Sequence, residues 1–189
     1  ALAIYLFGSV HRMLRFDLSE FTDYNAVDRL IGSVSDPSRP AQLLDPVRSS
    51  PFQVILFDEL EKAHSNVWDL LLPLLDDGRL TPPVGRTVDF TNTIVICTSN
   101  VGATDAEKNL GFAVAGEGQR RDDKIRSKLE EAFRPEFLNR FQHIVVFHAL
   151  ARSQMRRIAR HELRNILQRD GIIARNLVVD VDDAAIDFV

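Results

Sequence analysis

An α/β fold, a parallel sheet with helices on both faces, is predicted by three features of this 189-residue sequence. Val54-Ile55-Leu56-Phe57 is an unbroken apolar run with β-branched and aromatic members, the signature of a strand covered on both sides. Thr93-Ile94-Val95-Ile96-Cys97-Thr98 is a second such run. Segments of helical periodicity alternate with these strands, which is the order of a sheet built from crossover units.

Taken in order, Ala1–Phe7 reads as helix stopped by Gly8. Met13–Leu18 is a short strand, and a helix is expected from Ser19 through Ile31. Gly32–Pro40 is a loop by composition, and Leu43–Arg48 a short helix limited by Pro46. After the strand at 53–57, Ser65 is the expected N-cap of a helix carrying Val67, Leu70, Leu71, Leu74 and Leu75. Pro73 should bend or shorten that helix. Leu80–Phe90, with Pro82, Pro83 and Gly85, reads as a hairpin-like excursion ahead of the strand at 93–98. Gly102–Gln119 is a polar loop, Ile125–Phe133 a helix and His143–Phe147 a fourth buried strand. Ser153–Arg169 is an amphipathic helix with Met155, Ile158, Leu163, Ile166 and Leu167 on one face. Leu177–Val179 is a small strand candidate, and 182–189 an incipient helix. Composition changes near 149–152, where a domain boundary is expected, giving 1–150 and 151–189.

With 45% hydrophobic and 26% charged residues, the composition is that of a soluble globular protein. No apolar run approaches the ~18 residues of a membrane span, and no secretory signal is legible. The single cysteine, Cys97, lies within an apolar run, as a buried structural thiol would, and suits a reducing cytosol. The net charge of −4 hides an asymmetry: residues 113–175 hold 14 Lys/Arg against 8 Asp/Glu, leaving 9 against 19 elsewhere. A basic half can mark nucleic-acid binding. Here the basic residues are spread along helical segments without interleaved aromatics, which favours a solvated helix face or a subunit surface.

Chemistry concentrates where the strand at 53–57 ends. Asp58 and Glu59 follow the apolar run, at the strand end beyond which open α/β sheets bind ligands. Burying two carboxylates there is costly unless a cation, water or phosphate uses them. This is the Walker B arrangement, in which the Asp holds hydrated Mg²⁺ and the Glu polarises the attacking water. An apolar run followed by acids also ends many ordinary strands. Thr98-Ser99-Asn100 ends the neighbouring run, where a polar side chain could bind a γ-phosphate and the water beside Glu59, or merely cap the next turn. Arg134-Pro135-Glu136-Phe137-Leu138-Asn139-Arg140 presents Arg140. A guanidinium is permanently charged and forks onto phosphate oxygens, so it suits transition-state stabilisation across a subunit joint. A plain surface arginine is the ordinary alternative.

Six stretches together resemble the Clp family of AAA+ chaperones and unfoldases, most closely the second ATPase module of its two-module members. They are Arg15-Phe16-Asp17-Leu18-Ser19-Glu20-Phe21, Leu56-Phe57-Asp58-Glu59-Leu60-Glu61-Lys62-Ala63-His64, Leu75-Asp76-Asp77-Gly78-Arg79-Leu80, Gly85-Arg86-Thr87-Val88-Asp89-Phe90, Thr98-Ser99-Asn100, and the segment from Arg134 to Arg140. They stand in the family's order and span about residues 1–175. The resemblance implies a three-layer P-loop NTPase-like (AAA+) core over 1–150, followed by the start of a small helical domain. It implies a cytoplasmic homo-hexamer that couples hydrolysis of ATP, with Mg²⁺, to remodelling protein substrates. A protease partner is left open, no membrane is expected, and nucleic acid is a disfavoured partner. Asp58 resembles the metal-site acid, Glu59 the water-orienting base, Asn100 the first sensor, and Arg140 the finger that reaches a neighbour's ATP.

The departures bear on what this stretch can do alone. No G-x-x-x-x-G-K-[ST] occurs in it; the resemblance places that loop just ahead of the helix at Ala1–Phe7. The family's second, Arg-bearing sensor would come after Val189. Ser33–Pro40 lacks the glycine-flanked aromatic of the family's pore loop, and the second pore loop reads Thr81-Pro82-Pro83-Val84-Gly85. Either substrate is gripped differently or the gripping residues lie outside this chain. The competing readings are a degenerate, non-catalytic AAA-like scaffold and an AAA+ protein acting on nucleic acid.

Overall fold

The two apolar runs lie side by side in one parallel sheet. The computed structural model describes residues 1–36, 38–102, 117–147, 150–168 and 182, without the side chains of 117–122. Helix α1 (Leu2–Phe7) leads to strand β1 (Met13–Asp17), a 3-10 turn (Leu18–Glu20) and α2 (Ala26–Ile31). Next come α3 (Leu44–Ser49), β2 (Gln53–Asp58), a second 3-10 turn (Leu60–Lys62) and α4 (Ser65–Asp77). The hairpin β3 (Arg79–Leu80) and β4 (Val88–Asp89) precedes β5 (Thr93–Cys97), α5 (Glu117–Ala132), α6 (Pro135–Leu138) and α7 (Arg152–Leu167). The order β1-β2-β5 is parallel throughout, with Asp17 opposite Asp58 and Phe57 opposite Cys97. All three strands therefore finish along one edge. Residues 1–144 and 145–189 form two compact units.

β2 is the central strand, and its apolar run behaves as predicted: Val54, Ile55 and Phe57 are buried. Phe57 stacks on Phe16 of β1 at 5.6 Å, and Phe21 meets Phe16 edge-on. Leu30, Leu43, Leu44, Val47, Val67 and Leu71 complete the core from α2, α3 and α4. The expected hairpin is present, with Arg79 opposite Asp89 and Leu80 opposite Val88.

Several local expectations are corrected. β5 is not buried on both faces: Ile94 is 37% exposed, and among the described residues β5 pairs only with β2. The strand expected at 143–147 does not form. Its backbone finds no ladder partner among the described residues, and a strand exists only through its neighbour's hydrogen bonds; Val145 and Phe147 are exposed.

The helix expected from Ser19 to Ile31 is broken. Asp17 Oδ1 accepts the Ser19 N–H, and Asp23 Oδ1 accepts the Asn25 N–H. Such local carboxylate bonds compete with helix formation, so only the last six residues are α-helical. The cap of α4 is His64, whose Nδ1 accepts the Asn66 N–H, and Ser65 becomes the first helical residue. Pro73 does not end α4, which continues to Asp77. Pro46 is tolerated in the first turn of α3, where an N–H has no intrahelical partner in any case. α5 starts at Glu117, inside the stretch read as loop. The remainder of that loop, at 103–116, the candidate strand at 177–179 and the terminal helix over 183–189 lie outside the described residues.

Gly78 closes α4 in the left-handed conformation at φ 63°. A Cβ there would stand 2.9 Å from Thr91 Cγ2. Thr91 is held in place by two bonds to Asp89 Oδ1. Gly78→Ala is therefore expected to lower unfolding free energy by about 1–2 kcal/mol, read from urea denaturation. An unchanged midpoint would mean that the turn relaxes freely.

Candidate functional site

The parallel register brings the ends of β1, β2 and β5 together, and with them a group of polar side chains. Asp58 ends β2. Its Oδ1 accepts the Thr98 hydroxyl, and its Oδ2 takes Arg15 Nη2 at 2.5 Å. Thr98 also accepts the Glu59 N–H through Oγ1 at 3.2 Å, while its carbonyl accepts the Leu60 N–H at 2.9 Å. One threonine thus ties three consecutive residues of the β2 terminus to the end of β5.

Glu59 has φ 56° and ψ 52°, and is the one non-glycine residue with positive φ among those described. A left-handed non-glycine residue is strained, and such strain clusters at functional sites. The sharp turn swings the Glu59 side chain toward β5, where Asn100 Nδ2 lies 3.4 Å from Glu59 Oε1. Glu61 adds a third carboxylate. Its Oε1 accepts the Asn100 N–H, while Oε2 is covered and meets no protein donor.

The hydrogen bond from Thr98, then that from Arg15, holds the Asp58 carboxyl below its ordinary value of 3.8. Cys97, directly before this cluster, has its thiol pushed up to about 12 by burial. Cys97 is half-buried by its exposed area.

The structure places Asp58, Glu59 and Asn100 in one cluster. Arg140 is elsewhere: its Nε binds Asp76 Oδ1 at 2.7 Å, at the far end of α4. Sequence reasoning assigned no role to Arg15, Thr98 or Glu61. Their only signal was position, since each stands within a few residues of a strand's C-terminal end.

The carboxylates here supply the oxygen ligands that a hard divalent cation takes; Asp58 is paired with Arg15, and Glu61 Oε2 is covered without a donor among the described residues. No group of three or more His, Cys, Asp or Glu residues forms a cage among the described residues.

A polar cluster at the C-terminal edge of a parallel sheet stands where proteins of the open α/β class bind their ligands. The family model described as "AAA domain (Cdc48 subfamily)" matches residues 1–144, and the chain belongs to that family. It is 42% identical over 196 residues to the chaperone protein ClpB of Leptolyngbya boryana, covering 100% of this chain and 21% of that protein. It is also 42% identical over 197 residues to the ATP-dependent Clp protease ATP-binding subunit ClpC of Staphylococcus aureus (strain USA300), covering 100% of this chain and 24% of that one. Among solved structures, the S. cerevisiae Hsp104:casein complex aligns with TM-score 0.79 and 35% identity, over 89% of this chain and 29% of that chain. The chain thus spans about a fifth to a quarter of the length of these curated relatives. The recognition as a Clp-type AAA+ segment and the α/β fold are borne out by these comparisons.

The cross-links of Asp58 have a pH consequence. A carboxylate whose folded pKa is depressed contributes stability that is complete above its unfolded pKa and is lost as pH falls through the folded one. The window here lies below about pH 4, since the ordinary value is 3.8. Urea midpoints measured down a pH series should fall less steeply there for Asp58→Asn and Thr98→Val than for the wild-type chain. Parallel slopes would remove the Thr98 bond as the cause.

Proposed function

We propose that this chain is the greater part of an ATP-hydrolysing AAA+ module in a Clp-type chaperone that remodels or unfolds proteins. The reading rests chiefly on one observation: Glu59, in a strained left-handed conformation beside Asp58, has its carboxylate held by Asn100 from the adjacent strand. A base that must orient a water needs a defined direction, and Asn100 supplies one. Asp58 would hold hydrated Mg²⁺, whose contribution is to neutralise charge on the phosphates of ATP. Glu59 would accept the proton of the attacking water. Asn100, bound to Glu59, would also contact the terminal phosphate. Arg140 would serve the site of an adjoining subunit. Support for that comes from α4, since about 16 Å of helix at 1.5 Å per residue separates Ser65 from Asp76, the partner of Arg140.

The same reading extends to the whole protein as a cytoplasmic homo-hexamer acting on protein substrates, with or without a protease partner. The names of the relatives, a chaperone protein ClpB, a Clp protease ATP-binding subunit and an Hsp104:casein complex, support it. Among the described residues no helix is long and apolar enough to cross a membrane. The pore-loop difference favours the scaffold reading in one respect, because Ser33–Pro40 carries no aromatic. A non-catalytic scaffold, however, has no use for a strained and hydrogen-bonded Glu59.

In the full-length parent protein, Glu59→Gln should retain ATP and slow turnover by about 10²–10⁴-fold, the range of a positioned base. Arg140→Ala should slow it only in assembled rings. Steady-state phosphate release and filter-retained nucleotide read both effects. Wild-type turnover by the Gln variant would remove Glu59 from the chemistry. The 189-residue chain alone, which contains no phosphate-binding G-x-x-x-x-G-K-[ST] loop, should stay below ~1 s⁻¹.

A further inference from the structure

Two ion pairs fasten the segment carrying Arg140 to α4. Arg134 Nη2 lies 3.1 Å from Asp69 Oδ1, and Arg140 Nε lies 2.7 Å from Asp76 Oδ1. Asp69 and Asp76 are seven residues apart, two turns of helix, and so share a face. Leu72 falls between them on that face and lines a small cavity with Trp68 and Phe137. Phe137 is itself midway between Arg134 and Arg140 and is buried, with Phe133 and Phe141 against it. The two stripes therefore match: carboxylate, apolar, carboxylate on α4 against arginine, aromatic, arginine on the segment.

The pairing atom matters. The short contact of Asp76 with Arg140 is made at Nε rather than at the fork of two terminal nitrogens. Phosphate recognition by arginine uses that fork. A guanidinium held at Nε is restricted in direction, and its terminal nitrogens are the ones that would meet a phosphate. Both side chains remain partly exposed, 45% for Arg140 and 32% for Asp76, so a partner's phosphate could reach the fork without unpacking α4.

We propose that Asp76 is a positioning residue for catalysis in trans: it presents the Arg140 fork to the nucleotide of a neighbouring subunit. This rests on Arg140 acting as a finger, as read above. Asp76 touches no substrate and acts through Arg140 alone. The gain is preorganisation, because an arginine aimed before the transition state forms loses less rotamer freedom when it engages the phosphate. The arrangement also ties the finger to the rod that starts six residues beyond Glu59, with Trp68 Nε1 bonded to the Leu60 carbonyl at 3.0 Å.

The test is a double-mutant cycle in the full-length parent ring. Asp76→Asn, which keeps shape and removes charge, is compared with Arg140→Ala and with the double variant, and ring assembly is checked by size-exclusion chromatography. Asp76→Asn should lower kcat about tenfold, with KM for ATP within about twofold. It should have no further effect in the Arg140→Ala background. Asp76→Glu, which retains the carboxylate, should recover a large part of the loss. An unchanged or raised kcat in Asp76→Asn, or losses that simply add in the double variant, would overturn the positioning role. So would rings that fail to assemble with Asp76→Asn while Asp76→Glu assembles and shows the same low kcat. If Arg140→Ala alone leaves ring kcat unchanged, the finger reading falls first and the role of Asp76 with it.

Discussion

Parallel pairing of β2 with β5 is the constraint from which the site follows. Side chains alternate along a strand, so a slip of one residue would turn Asp58 and Thr98 to other faces. The observed register sets Phe57 against Cys97 and delivers the next residue of each strand to the same edge. Thr98 then converts adjacency into fixed geometry, with its hydroxyl and carbonyl bonded to Asp58, Glu59 and Leu60. The apolar residues of β2 supply the burial that holds the register: Ile55 and Phe57 are fully covered on opposite sides of Leu56. Burial of this kind is worth about 1.5–3 kcal/mol for each large side chain. It outweighs any single surface ion pair, for which ~0–1 kcal/mol is typical.

Helix α4 carries that order outward. His64 caps it directly after the second 3-10 turn, and the Trp68 indole ties it to the Leu60 carbonyl. Its other end turns sharply at Gly78 into the hairpin, where the Phe90 N–H bonds to the Gly78 carbonyl at 2.7 Å. Phe133, Phe137 and Phe141 form an aromatic row along one flank, with Trp68 5.2 Å from Phe133. Aromatic packing at these distances is favourable beyond the area it buries. The exposed ion pairs on either side of Phe137 therefore direct a contact that the rings hold together. Arginine placement is a matter of packing first and charge second.

How much of this was legible in the sequence depended on range. β2 and the hairpin were readable because their signals are local: a continuous apolar run, and turn residues between two short strands. The acids of Asp58 and Glu59 were readable for the same reason. The end of β1 was harder, since Asp17 and Asp23 bond to nearby backbone amides and break a helix that periodicity alone extends back to Ser19. The partial exposure of β5 could not be read, because its composition matches that of β2 and only pairing distinguishes a central strand from an outer one. At 143–147 an apolar sequence predicted a strand, but strand formation belongs to the partner as much as to the sequence. Arg15 and Asp76 were invisible in their roles for a similar reason: each gains meaning from a residue about 40 or 60 positions away.

The conformation of Glu59 shows what the site gives up. A left-handed residue with a side chain costs on the order of 1–3 kcal/mol. Glycine at this point would remove that strain and would also remove the carboxylate. The surrounding bonds offset the cost locally: the Glu59 N–H to Thr98 Oγ1, the Leu60 N–H to the Thr98 carbonyl, and Asn100 to the carboxylate itself. At roughly 0.5–1.5 kcal/mol for each net hydrogen bond, three suffice to hold the turn. Two of them come from Thr98, which is also the principal partner of Asp58. The strained turn and the Asp58 carboxylate are thereby coupled through a single threonine, by its hydroxyl and its backbone. A sheet edge serving only as structure would relax to a glycine or an ordinary turn; one that must aim a carboxylate at a defined point retains the strain.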